Sequence, residues 1–163
     1  MNPVVKYFTG EKAESFLFLV LGIIGFIAGI YFILNNDSSF WKGFAVPCLL
    51  VSLLEIIVGV TIVYRSPKDI IRVEHYIKND SFKIKTDEIP RMKKVMRNFM
   101  VFRYTEIALI LAGVIIYFYS THDFWRGLSL GITMQSSVVL ALDYFAERRG
   151  FIYLEYLNSI GHE

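Results

Sequence analysis

Cysteine, histidine and proline are rare in this chain of 163 residues, which holds one, three and four of them. The single cysteine, Cys48, excludes a disulfide within the chain and a cysteine-based zinc site, so its expected role is packing. The histidines, His75, His122 and His162, are scattered among separate loops and tails, and no metal or cofactor is expected. Zincin, P-loop, nucleophile-elbow and dinucleotide-binding motifs are also missing, and the chain is not expected to be an enzyme.

Charge is scarce and unevenly distributed. Only 20% of the residues are charged and 55% are hydrophobic, with a mean hydropathy of +0.47. Ordinary soluble domains carry about 25% charged residues. Long stretches of this chain hold almost no charge, whereas residues 65–103 are crowded with it. The pattern predicts an all-α integral membrane protein that forms a single domain over residues 1–163.

Four apolar segments are long enough to cross a bilayer. An α-helix needs ~20 residues to span a ~30 Å hydrocarbon layer. The bilayer interior offers no water to unpaired backbone groups, so such segments should be helical. We predict four transmembrane helices, paired as two helical hairpins, at about residues 15–34, 44–64, 102–119 and 128–145.

One tetrapeptide occurs twice with a single difference, as Phe-Trp-Lys-Gly at 40–43 and as Phe-Trp-Arg-Gly at 124–127. Each copy follows a Tyr-Phe pair and a polar linker, and each opens the second apolar segment of a predicted hairpin. Tryptophan favours the membrane interface and a neighbouring basic side chain reaches the headgroups, so Trp41 and Trp125 are predicted interface anchors. The simplest interpretation is one hairpin used twice; the alternative is that short membrane turns collect such residues independently.

The distribution of basic residues predicts the orientation. Of the seventeen Lys and Arg residues, only Lys42 and Arg126 lie in the two short turns. The positive-inside rule then places both termini, the central loop and a C-terminal tail at 147–163 in the cytoplasm. Compact loops, sparse cysteine and frequent Ile and Lys favour a bacterial inner membrane.

Residues 66–99 are predicted to form amphipathic cytoplasmic helices between the hairpins. Ser66 followed by Pro67 is typical of a helix start, and a second start precedes Pro90. The second helix is expected to pack on the first, to lie on anionic lipid or to bind a protein partner. Acidic residues lie among the basic residues of this segment, and it contains no recognised nucleic-acid-binding motif, so we do not expect it to bind nucleic acid. The predicted lipid or partner surface comprises Met92, Lys93, Lys94, Val95, Met96, Arg97 and Phe99.

Polar residues inside the predicted spans give the functional hypotheses. Glu55 precedes Arg65 by ten residues, which places its carboxyl about 15 Å from the membrane boundary. A charge at that depth costs about 2.5–3.5 kcal/mol, so Glu55 should face the bundle interior and be neutral when unpaired. Gln135 lies at similar depth. Near the inner boundary, Arg103 is expected to pair with Glu106 or Asp143.

These five residues are predicted to bind a proton or cation; the alternative is that they hydrogen-bond the helices together. Gly25 and Gly29 form a GxxxG pair, which serves close helix packing within the bundle or between subunits. The leading hypothesis is an ion or proton channel, or a proton-coupled transporter. Four helices leave little room within one chain, so a homo-oligomer is expected.

The second hypothesis is a non-transporting partner of another membrane protein, as an accessory subunit or an immunity-type protein. The third and least favoured is an intramembrane enzyme.

Overall fold

The computed structural model describes residues 2–161 and contains four long helices. They are α1, Pro3–Asn35; α2, Ser39–Asn79; α3, Ser81–Tyr119; and α4, Asp123–Gly161. No β-strand occurs among the described residues. Each helix contains a segment long and apolar enough to cross a membrane. The predicted all-α class is therefore confirmed, as is the prediction of four helices long and apolar enough to cross a membrane.

The helices are longer than a bilayer requires. The 41 residues of α2 correspond to about 60 Å, twice the hydrocarbon thickness. The surplus of all four helices lies at the end of the molecule that holds both termini. We call this end the basal bundle and define it as residues 3–14, 66–99 and 147–161. The opposite end, with the connections at 36–38 and 120–122, is the turn end.

Two boundaries in the basal bundle differ from expectation. Ser66 does not cap a new helix, because α2 continues through Pro67 and the Ser66 hydroxyl donates to the Ile62 carbonyl at 2.8 Å. A single proline removes only one helical hydrogen bond. The segment expected as a C-terminal tail continues α4 as helix to Gly161. His162 and Glu163 lie outside the described residues.

The start of α3 contains a π-helical segment. Ser81–Lys83 is α-helical, Ile84–Glu88 is π-helical and the α-helix resumes at Ile89–Tyr119. A π-turn holds an extra residue and changes which side chains share a face. Both ends of this segment, Ile84 and Glu88, have buried side chains.

The hydrophobic core lies in the basal bundle. Residues from all four helices contribute to it, and the Tyr7 and Tyr153 rings stack with centroids 4.2 Å apart. The fully or almost fully buried members are Val4, Tyr7, Phe8, Val73, Ile84, Met92, Tyr153 and Leu157. Between the basal bundle and the turn end, many large apolar side chains, such as Ile27 and Leu111, are exposed rather than buried. This exposed apolar belt is what a lipid-facing surface requires.

The repeated tetrapeptides contact each other at the turn end, where α2 packs against α4. A Cβ atom added to Gly43 would overlap the carbonyl oxygen of Phe124. Reciprocally, a Cβ atom added to Gly127 would overlap the carbonyl oxygen of Phe40. Each copy of the motif therefore supplies the glycine that lets the backbone of the other copy approach. We call this contact the glycine crossing.

The repeat extends along the whole chain in burial, although not in residue identity. Each buried residue from Val4 to Val73 has a counterpart 84 positions later in the chain, and every counterpart is buried or half-buried. Gly43 and Gly127 are one such pair. Gly29 packs on the Ala45 carbonyl of α2, and its counterpart Gly113 packs on the Ser129 carbonyl of α4. Such reciprocal contacts are those of two halves related by an approximate two-fold axis.

Candidate functional site

A cavity of about 410 Å³ lies among the four helices, between the glycine crossing and the basal core. Most of its lining is apolar and includes Phe18, Phe99 and Phe102. Five carboxyl groups interrupt this apolar wall: those of Glu11, Glu14, Glu55, Glu106 and Asp143. Two arginines, Arg65 and Arg149, line its basal side. We refer to it as the acidic cavity.

The deepest carboxyl group belongs to Glu55 on α2. Its residue is only 5% exposed, and its Oε1 atom has no hydrogen-bond partner among residues 2–161. The same holds for Oε2 of Glu106, a residue that is 7% exposed. A buried polar atom without a partner costs about 1–3 kcal/mol, and more when it is charged. The cavity therefore contains acceptor atoms that no group of residues 2–161 satisfies.

Glu106 on α3 and Asp143 on α4 form a carboxyl pair. Both line the acidic cavity and are close enough for their charges to interact. Two charged carboxylates repel each other at this separation, whereas a proton or cation between them relieves the repulsion. The pair therefore resembles Glu55 in needing a positive partner.

The two halves of the molecule differ at this carboxyl pair. In the first half, Gly22 and Gly59 bring α1 and α2 together: added Cβ atoms would lie 2.9 Å and 2.8 Å from carbonyl oxygens of the facing helix. The counterparts of these glycines, 84 positions later, are Glu106 and Asp143. Carboxyl groups in the second half thus occupy the positions at which the first half is closed by backbone contact.

Ion pairs line the basal side of the cavity. Arg149 of α4 makes two hydrogen bonds to Glu14 of α1, of which Nη2 to Oε2 measures 2.6 Å. Arg65 of α2, the counterpart of Arg149, lies 3.1 Å from Glu11 of α1. Burial raises the pKa of Glu11 above its ordinary value, while the neighbouring Arg65 acts in the opposite direction. Both arginines are thus paired with carboxylates of α1.

A buried polar network closes the basal bundle below the cavity. Glu88 accepts hydrogen bonds from Arg91 at 2.6 and 2.9 Å and from the Tyr153 hydroxyl at 3.0 Å. Arg72 connects Glu88, at 3.5 Å, to Asp69, at 2.9 Å. Burial raises the pKa of Tyr153, and the Glu88 carboxylate adds to the effect, so the hydroxyl stays protonated as a donor.

The cavity opens sideways, between α2 and α3. Cavity-lining Leu54 and Val58 of α2 and Phe102 of α3 are all exposed, with Leu54 at 61%. Among the described residues, α1 packs against α4, whereas α2 has no comparable packing with Ile89–Tyr119 of α3. This opening lies within the exposed apolar belt.

Three of the five residues predicted to bind a proton or cation line the acidic cavity, and two do not. Glu55, Glu106 and Asp143 line it. Arg103 pairs with Glu147 at 2.9 Å, so the expected pairing with Glu106 or Asp143 is wrong; Glu147 lies one turn nearer the basal bundle. Gln135 packs instead towards α1, with Nε2 3.4 Å from a Cβ position at Gly25.

The remaining predicted positions are distributed as follows. Met92 is fully buried in the basal core and is not part of a surface. Val95, Met96 and Phe99 are half-buried, and Lys93, Lys94 and Arg97 are exposed. Gly25 and Gly29 face α2, against the side chains of Ser52 and Leu49. Trp41 and Trp125 are exposed at the turn end. No group of three or more potential metal ligands occurs within residues 2–161.

Sequence reasoning missed Glu11, Glu14 and Arg149 as cavity residues. Two signals for them were available: Glu11 and Glu14 share a helix face at i,i+3, and Arg149 lies 84 positions after Arg65. Comparison of the chain with family models, with curated proteins and with solved structures finds no match.

Proposed function

We propose that the protein is a membrane transport protein that binds protons or cations at Glu55, Glu106 and Asp143 and works as a proton-coupled transporter. The observation that carries this proposal is the Glu55 carboxyl, which is buried, lacks a partner at Oε1 among residues 2–161 and lines a cavity. An ionisable residue at such depth is by default a functional site, because burying it costs stability.

A transporter agrees with the geometry better than an open channel does. The glycine crossing lies on one side of the cavity and the basal core on the other. A channel needs a continuous path, whereas alternating access needs a site that is closed on at least one side. The cavity also provides room inside one chain, contrary to the expectation that several copies are needed. Association into a homo-oligomer remains a prediction.

We further propose the arrangement of the chain in the membrane. The helices form two hairpins, and the basal bundle lies in the cytoplasm, because it holds thirteen of the seventeen Lys and Arg residues. The amphipathic parts of α2 and α3 then form a cytoplasmic cap on the bundle. A bacterial inner membrane remains the proposed location.

The test is a flux measurement in proteoliposomes that carry gradients of protons, Na⁺ and K⁺. Wild type should dissipate a gradient, and Glu55→Gln should reduce the rate at least tenfold. Glu155→Gln, at an exposed position of the basal bundle, is the matched control and should behave as wild type. Equal rates in wild type and Glu55→Gln would show that Glu55 is not the coupling group.

A non-transporting partner protein is the second candidate. The observation in its favour is the exposed basic row of Lys93, Lys94 and Arg97 on α3. If folded wild type conducts nothing above empty liposomes, this function replaces transport. Co-purification of a membrane protein with wild type, but not with a variant in which this row is changed to Gln, would then support it.

A further inference from the structure

We propose that the acidic cavity binds a lipophilic organic cation, which enters sideways from the bilayer between α2 and α3. This inference rests on the proposed transport function and names its substrate class. It combines four independent features of the cavity: its volume, its charge, its opening and its unsatisfied carboxyl groups.

The volume indicates an organic molecule. Cavities of about 300–1,000 Å³ hold ligands of drug size, and the acidic cavity measures about 410 Å³. A proton or a bare metal ion would leave most of this space empty. Apart from the carboxyl groups, the apolar lining offers no replacement for the water shell of a hydrated ion. The same lining suits a ligand whose surface is mostly hydrocarbon.

The charge indicates a cation. The deep wall holds Glu55, Glu106 and Asp143, and the cavity arginines, Arg65 and Arg149, lie on its basal side. Both of those arginines are already paired with carboxylates of α1. An anion would therefore meet only carboxyl groups at depth. Phe18, Phe99 and Phe102 also line the cavity, and aromatic rings attract cations through their faces.

The opening indicates entry from the lipid phase. Three of its exposed rim residues, Leu54, Val58 and Phe102, are apolar, and the other two, Arg65 and Asn98, lie towards the basal bundle. The glycine crossing brings two backbones into contact, so the turn end offers no comparable entrance. A cation that dissolves in the bilayer meets this rim directly, whereas a strongly hydrated cation does not.

The unpartnered oxygens show that the carboxyl groups are not merely structural. Glu55 is more than nine-tenths buried, and its Oε1 atom has no partner within the described residues. A carboxyl that only joins helices would use its oxygens in hydrogen bonds between them. When the cation binds, one carboxyl group loses its proton to the solvent and the carboxylate pairs with the cation. The total charge in the cavity is then unchanged, and one proton is exchanged for one cation.

The experiment uses tetraphenylphosphonium as the probe and tetraphenylborate, of the same shape and opposite charge, as its control. Binding is measured by equilibrium dialysis on the full chain in lipid nanodiscs, against empty nanodiscs. Saturable binding of tetraphenylphosphonium, with no saturable binding of tetraphenylborate, is expected. Because one proton is exchanged, the affinity should rise about tenfold per pH unit while the site is protonated. This pH series uses wild type alone and does not depend on any variant folding.

The variants Glu55→Gln, Glu106→Gln and Asp143→Asn should each weaken tetraphenylphosphonium binding at least tenfold, and Glu155→Gln should not. Melting curves identify any variant that has lost its fold. The absence of saturable binding to folded wild type would overturn the proposal, as would equal binding of both probes or binding that persists in the folded triple variant. Glu55-dependent flux without tetraphenylphosphonium binding would refute the substrate class alone. Binding with proton release but no flux would support the ligand and refute transport.

Discussion

Replacing Gly43 with alanine tests whether the glycine crossing holds the two halves of the molecule together. The new Cβ atom would overlap the Phe124 carbonyl oxygen and lie 3.0 Å from the Leu128 nitrogen. Both are backbone atoms, so no rotamer change relieves the overlap. A carbon–oxygen contact needs about 3.3 Å, and α2 and α4 must therefore separate by about 1 Å.

The magnitude follows from two opposing terms. Overpacking a close contact costs about 1–3 kcal/mol, and a gap of 0.5–1 Å loses about a quarter to a half of the dispersion energy of each contact along the crossing. In the opposite direction, alanine stabilises a helix relative to glycine by about 0.5–1 kcal/mol. The net loss of unfolding free energy for Gly43→Ala should be about 0.5–2 kcal/mol. Gly127→Ala should cost the same amount, because its environment is equivalent.

The assay is unfolding in mixed micelles, with dodecyl sulfate as the denaturant and tryptophan fluorescence as the signal. Trp41 and Trp125 both lie within the repeated motifs, so their fluorescence reports on the crossing directly. Once one alanine has separated the helices, the second meets less resistance, and the double variant should cost less than the sum of the single variants.

Gly150→Ala is the matched control for this series. Its new Cβ atom would meet only flexible methionine side chains, with the Met96 sulfur at 2.9 Å and the Met92 Cε atom at 3.7 Å. It should be neutral or slightly stabilising. The reasoning is refuted if Gly43→Ala unfolds at the wild-type denaturant concentration, if Gly150→Ala is equally destabilised, or if the two alanines at the crossing are strictly additive.

Two further predictions concern the basal bundle. Tyr153→Phe removes the 3.0 Å hydrogen bond to buried Glu88 and should lower the unfolding free energy by about 1–3 kcal/mol. The same dodecyl sulfate titration measures this loss. As the control, Ser159→Ala changes a more exposed hydroxyl and should have little effect. Glu11 has a pKa raised by burial above its ordinary value of 4.5, so its contribution to stability is full below that value and is lost as the pH rises through the folded-state pKa. The melting temperature of wild type should therefore fall relative to Glu11→Gln as the pH rises from 4 to 7, and a constant difference between the two proteins would contradict this.

Much of the fold follows from local features of the sequence. Each of the four helices contains an apolar segment of sufficient length, and the hydrophobic requirement of a bilayer allows few alternatives to helix. Glu55 could be identified as a candidate site residue from the sequence, because a carboxyl group within an apolar segment is unusual whichever helices surround it. Such features need no knowledge of which helices are neighbours.

Features that depend on helix neighbours were not predictable in the same way. Arg103 could pair with Glu106, three residues later on α3, or with Asp143 or Glu147 across the α3–α4 contact, and all three are compatible with the helical spacing. The burial of Met92 depends on the π-helical segment before it, which shifts the faces of α3. The continuity of α2 through Pro67 reflects packing of the basal bundle, which outweighs the local preference for a helix start at Ser66.

The 84-residue relationship between the halves has a consequence for how the chain assembles. A single helix pair joined to an identical copy would have had two equivalent side openings and no distinction between its faces. In the present chain, Glu55 has Val139 as its counterpart, while Glu106 and Asp143 have glycines. The acidic residues therefore lie where the approximate symmetry between the halves is broken. Residues 1–80 and 81–163 produced as separate polypeptides should accordingly reassemble with each other in preference to themselves.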